Sequence, residues 1–163
     1  MSLSGFKGKF ASGPQFANQF EVEIPDLGDA GTFLCHQVTL PGYSAALAGT
    51  IMYGKAEEVP YQISMVPVQV TAYLDSGSSV PKKLDAYKDK MFDMGSFSPE
   101  FWTKCMIDTI KIKCLDKNGA TKATYMLSGC ILSDVTSGTL SWGSQNQIAE
   151  VNFTISYQKY SVF

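Results

Sequence analysis

The chain has 163 residues, 13 basic and 15 acidic, with a net charge of −2 and a pI near 5.3; every basic side chain is a lysine, and His36 is the one histidine. That balance argues against a nucleic-acid binder, which needs a basic excess to neutralise phosphate and uses arginine for bidentate readout. It also leaves a metal site or histidine-based catalysis with one imidazole to draw on. At 45% hydrophobic and 17% charged residues, one folded domain spanning 1–163 is expected.

Met1 to Gly13 carries Lys7 and Lys9 with no apolar run behind them, so no secretory signal is expected. Strand patterning begins at Asn18, where Phe20, Val22 and Ile24 alternate with Gln19, Glu21 and Glu23. Pro25 to Gly31 has turn chemistry, so Thr32 to Leu40 is expected to return as the second strand of a hairpin. The uncharged run from Ala30 to Gly54 contains Pro41, Gly42 and Gly49 and is too polar to span a bilayer; no membrane segment is expected. From Tyr43 to Val59 no period is sustained, and an extended loop arm is expected there.

Tyr61 to Leu74 resumes as a strand, with Pro67 marking an edge position or a bulge. Ser79 is the expected N-cap of a single helix, with Pro81 in its first turn. Leu84, Tyr87, Met91 and Phe92 form the buried stripe of that helix. Met106 to Leu115 and Ala123 to Leu132 read as a hairpin about Asp116-Lys-Asn-Gly119. Gly138 to Trp142 and Ile148 to Tyr160 read as a last pair, with Val151, Phe153, Ile155 and Tyr157 inward. The expected fold is mainly β: an antiparallel sandwich or barrel of about seven strands, with one flanking α-helix and a long loop arm.

The sequence offers no constellation of residues that carries chemistry. Gly5-Phe-Lys-Gly8 and Ser76-Gly-Ser-Ser79 lack phosphate-loop spacing, and His36 and Cys35 point to opposite faces of a strand. Glu21 and Glu23 share a polar strand face with nothing to drive their pKa values apart. Cys35, Cys105, Cys114 and Cys130 show no CxxC pairing and read as reduced thiols. Neither a catalytic site, a metal nor a cofactor is expected, so the chain reads as a non-enzyme. Charge is uneven: residues 18–58 hold six acids against Lys55, while residues 80–122 hold nine lysines against six acids. Solvated faces account for this simply; complementary surfaces on neighbouring copies account for it more sharply.

The two ends of the chain carry a resemblance. Asn18-Gln-Phe-Glu-Val-Glu-Ile-Pro25 with Phe33-Leu-Cys-His-Gln-Val-Thr-Leu-Pro-Gly42 resembles the opening hairpin of the tail tube proteins of contractile-tailed, T-even-like bacteriophages. Gly138-Thr-Leu-Ser-Trp-Gly-Ser-Gln-Asn-Gln-Ile148 running into Val151-Asn-Phe-Thr-Ile-Ser-Tyr157 is similar to that family's closing hairpin. The resemblance covers about a third of the chain; an apolar stretch from Val59 to Leu74 and the lack of arginine depart from it.

The resemblance implies a subunit of six-fold rings that stack into the inner tube of a contractile tail and form the conduit for DNA ejection. It implies a sheath protein outside, baseplate and tail terminator proteins at the ends, and tape-measure protein and DNA transiently in the lumen. The chain would then reside in the tail of a virion assembled in the host cytoplasm. The ring's inner wall would be one sheet shared by six subunits. The polar parities Gln19, Glu21, Glu23, Asn152, Thr154, Ser156 and Gln158 are expected to line the lumen. The N-terminal segment 2–15 and the arm 43–59 would reach neighbours through Phe6, Phe10, Tyr43, Leu47, Ile51, Met52 and Tyr53. A baseplate tube initiator, or the tube of a related injection or secretion machine, is the nearest alternative; a soluble β-barrel binding module is the alternative of a different class.

Overall fold

The computed structural model describes residues 17–25, 28, 35–52, 55–93, 98–99, 105–138, 141 and 147–163. Its strands are β1 (Phe20–Glu23), β2 (Cys35–Val38), β3 (Gly42–Met52), β4 (Lys55–Val66), β5 (Val68–Tyr73), β6 (Phe92–Asp93), β7 (Ser98–Pro99), β8 (Ile107–Leu115), β9 (Thr121–Ser137), β10 (Glu150–Ser156) and β11 (Lys159–Val162). The helix α1 spans Ser79–Met91. Seven strands form one antiparallel sheet in the order β1-β8-β9-β10-β5-β2, with β11 also on β9. Among the described residues, the expected β-rich fold with one helix is present.

The long strand β9 organises the sheet. Its first half is flanked by β8 and β11 and its second half by β10. The chain of β10 and β11 runs along β9 in one register, Ser156 opposite Ile131 and Lys159 opposite Ser128. The corner between the halves falls at Gly129, whose φ is +67° and where a Cβ would sit 2.9 Å from the Gln158 side chain. Glycine is favoured here because other residues reach that backbone region at a cost. Gly129→Ala is expected to cost about 1–2 kcal/mol, lowering the melting temperature by about 3–6 °C in a thermal scan.

Both halves bury one core. Val22, Ile24, Ile110, Ile112 and Leu127 come from the first half; Val68, Val70, Val151, Phe153 and Ile155 come from the second. The alternation that predicted these faces is the one observed, Val151 through Tyr157 included. The helix adds Val80, Leu84 and Tyr87 to the same core, with Met91 packed at its edge. Phe92 stands in β6, beyond the end of the helix. The Asp116–Gly119 turn forms as expected, closed by the Gly119 N–H donating to the Asp116 carbonyl at 2.8 Å.

Four expectations are corrected. β1 and β2 are not paired in a hairpin: β1 pairs β8 and β2 pairs β5, placing them at opposite ends of the sheet order. Register and charge explain the choice, since Glu21 lies opposite Lys113 and Glu23 opposite Lys111. The segment expected as a loop arm is most of a two-stranded antiparallel ribbon, β3 with β4, running out to Met52 opposite Lys55. The partner of β10 on this side is Ile131–Ser137 of β9 and not the expected 138–142, most of which lies outside the described residues; the pairing continues through the Gly138 N–H on the Glu150 carbonyl at 2.9 Å. Finally, the helix is capped by Asp75 and not by Ser79. Asp75 Oδ1 accepts the Ser79 backbone N–H at 2.7 Å, which holds Asp75 below the usual carboxylate range. The cap is therefore present above that range and lost as pH falls through the lowered value.

Candidate assembly surfaces

Among the described residues, the ribbon carries more than half of the exposed large hydrophobic side chains. Tyr43, Leu47, Val59, Tyr61, Ile63 and Val66 are all exposed, Tyr61 to 68% and Ile63 to 62%. Opposite Ile63 stands Ala45, and Ala46 and Ala48 follow on the same strand, so small residues on β3 face larger ones on β4. A contiguous apolar ribbon of this kind marks an interaction surface. Tyr43 and Leu47, two of the expected contact residues, are among these exposed side chains. Ile51 and Met52 hold register positions opposite Ala56 and Lys55 at its outer end. Phe6, Phe10 and Tyr53 lie outside the described residues.

Tyr61, Ile63 and Val66 lie where an ordinary sheet strand is expected, and Val59 at the end of the expected arm; all four are functional candidates. A signal for their separate role is present in the sequence. Tyr61, Ile63 and Met65 share one parity, whereas Val66, Val68 and Val70 share the other. The phase therefore changes beside Pro67, where β4 ends and β5 begins.

The ribbon's base is held by Tyr157. Its hydroxyl donates to the Gly42 carbonyl at 2.8 Å and accepts the Gly42 N–H at 3.0 Å. Burial raises the phenol above its usual pKa, so the donated proton is retained in neutral solution.

The lumen candidates fall on two separate surfaces. Glu21 and Glu23 lie on the outer face of the β1/β8 half, where Lys113 Nζ pairs with Glu21 at 3.8 Å and more tightly with Glu23. The bond to Glu23 raises Lys113 above the ordinary lysine range. Gln19 precedes β1, and its Oε1 is buried. Asn152 and Thr154 lie in the other half, opposite Thr71 and Gln69 of β5 and Thr136 and Asp134 of β9. Ser156 continues their parity, and Gln158 sits at the Gly129 corner. Because the two halves bury a common core with their inner faces, their outer faces point away from each other. One channel wall can therefore hold one set, not both.

Among the described residues, the second half is unpaired at both margins. Among the described residues, no strand pairs the outer side of β2 or the outer side of β9 over Leu132–Ser137. The end of β9 is exposed from Ser133 onward. Beside it runs a groove of about 630 Å³, lined on one side by Pro81, Lys82, Asp85 and Lys88 of α1 and on the other by Leu132 to Val135. An exposed edge of this length is a template for pairing with another chain.

His36 stacks on Tyr73 with ring centroids 4.0 Å apart, and its Nε2 lies 3.5 Å from Glu150 Oε1. Burial pushes the Cys35 thiol up to about 12 and Cys130 to about 11, leaving little thiolate at neutral pH. None of the four cysteines forms a disulfide. Among the described residues no cluster of three His, Cys, Asp or Glu could hold a metal, and no helix is long and apolar enough to cross a membrane.

Several solved structures share the fold. A chain of the PVC extracellular contractile injection system, from its sheath–tube complex in the extended state, is 17% identical with a TM-score of 0.70, covering 100% of this chain and 98% of that one. A chain of the sheath/tube terminator of the same system is 16% identical with a TM-score of 0.71, over 92% and 96% of the two chains. A chain of the anti-feeding prophage baseplate is 12% identical with a TM-score of 0.69, over 92% and 95%. No match was found by sequence among curated proteins. The sequence model described as "Phage tail tube protein" matches residues 5–163, and the chain belongs to that family.

Proposed function

We propose that this protein forms six-subunit rings that stack into the inner tube of a contractile tail, the conduit through which DNA leaves a virion. The observation that carries the ring is the sheet half open at both margins. β2 of one subunit can pair with the end of β9 in the next, and repeating that unlike contact closes a ring. The groove beside α1 gives the incoming strand room. The ribbon then supplies the second contact, covering apolar surface on a neighbouring subunit or ring.

The wetted face of the shared sheet would be the lumen wall. Asn152, Thr154 and Ser156, beside Gln69 and Thr71, make it rich in hydroxyls and amides. Such groups bind phosphate weakly, and weak binding lets DNA slide. Glu21 and Glu23 belong to the opposite face and carry their own lysine, so they are assigned no role in the channel. A sheath protein outside, baseplate and terminator proteins at the ends, and tape-measure protein within the lumen complete the assembly, built in the host cytoplasm. The similarity to chains from a sheath–tube complex, a terminator and a baseplate is consistent with those positions.

Negative-stain electron microscopy of the purified protein tests the proposal. Hollow tubes or six-fold rings are expected; a monomer at every concentration, by light scattering, would favour a soluble binding module instead. The tube of a related injection system is a second reading, favoured by the end-to-end fold match to a chain of the PVC sheath–tube complex. Isolated particles carrying DNA would exclude it. A single ring that never extends would point to a baseplate initiator.

A further inference from the structure

The ribbon leaves the sheet through two prolines. Pro41 precedes Gly42 on one strand, Pro67 follows Val66 on the other, and Gly42 and Val66 stand opposite each other in the register. Neither proline has an N–H to contribute, so the ladder is interrupted on both strands at the same level. That level is a line about which the ribbon can swing.

Tyr157 spans the line. It follows β10, its ring is buried with Phe153 and Ile155 in the core, and it stands perpendicular to the Tyr160 ring at a centroid distance of 6.1 Å. Its hydroxyl engages both backbone groups of Gly42, the first residue of the ribbon. Two hydrogen bonds from one rigid, core-anchored ring fix a direction as well as a distance.

We propose that Tyr157 is a positioning residue for assembly: it sets the angle at which the ribbon leaves the body, so that the apolar strands are presented already oriented for a neighbour. This rests on the reading of the chain as a tube subunit. Tyr157 is itself buried and offers no docking surface; it acts through Gly42. Without the clamp the ribbon samples other angles. The apparent affinity between subunits then falls in proportion to the fraction still correctly oriented.

Tyr157→Phe keeps the ring and its packing and deletes both bonds. Its effect is read against Ile112→Val, a core substitution in β8 remote from the ribbon. Hydrogen exchange is measured below the assembly concentration, and the concentration at which tubes appear is measured for each protein. Tyr157→Phe is expected to speed exchange of the Gly42 amide and to raise the assembly threshold, each by roughly tenfold. Ile112→Val should move neither. Unchanged exchange and threshold in Tyr157→Phe, or an equal rise in Ile112→Val, would overturn the proposal. If the wild-type protein forms neither rings nor tubes, the proposed function falls instead, and the exchange comparison alone decides the clamp.

Discussion

Ile63→Asp is expected to leave a folded subunit that no longer makes tubes. Ile63 is 62% exposed and lies on β4 opposite Ala45, outside the core that holds the body together. Within a subunit the substitution exchanges one exposed side chain for another, so its cost stays within about 0.5 kcal/mol. In the proposed assembly the same position is covered. Burying an isoleucine contributes about 1.5–3 kcal/mol, and burying an unpartnered carboxylate there costs several more. At about 1.4 kcal/mol per tenfold change, a loss of roughly 4 kcal/mol weakens each contact about a thousandfold. Every subunit carries the lesion, so the effect is multiplied along the tube. Sedimentation of tubes measures assembly, and a thermal scan measures the monomer. Tubes pelleting at the wild-type concentration would mean that the ribbon faces solvent in the particle.

The ribbon also shows why the fold was only partly legible. Period-two alternation arises because one face of a strand is buried and the other is wet. It was readable in β10, where Val151, Phe153 and Ile155 pack into the core and Asn152 does not. Over its described side chains the ribbon is mostly exposed within its own subunit, so Tyr43 to Val59 has no such alternation and reads as a loop. Pairing was hidden for a different reason. Turn chemistry at Pro25 to Gly31 is local, whereas the partner of β1 is chosen by residues some 90 positions away, Lys111 and Lys113 among them. Polar parity likewise identified Glu21 and Asn152 as solvent-facing. It could not tell the two outer faces of the molecule apart, because both are wet in an isolated subunit.

Val135→Pro is expected to abolish ring closure while sparing the monomer, and backbone geometry explains why this position is suited to the test. The Gly138 N–H donates to the Glu150 carbonyl, so these two form a hydrogen-bonded pair. In an antiparallel ladder such pairs alternate, which makes Thr136–Asn152 the next one and leaves Val135–Phe153 a non-hydrogen-bonded pair. The Val135 N–H therefore points away from β10, toward the open margin and the groove beside α1. Proline removes that donor and leaves the β9–β10 bonds in place, the same device by which natural edge strands resist unwanted pairing. The monomer loses part of one half-exposed side chain, about 1 kcal/mol, or about 2–4 °C in melting temperature. The ring loses a donor at every subunit contact, and the pyrrolidine occupies the space where the incoming carbonyl would sit. Val135→Thr keeps both donor and branching and should close rings as the wild type does. Light scattering after size exclusion separates the outcomes: rings from Val135→Pro at wild-type concentrations would mean that subunits meet through some surface other than the end of β9.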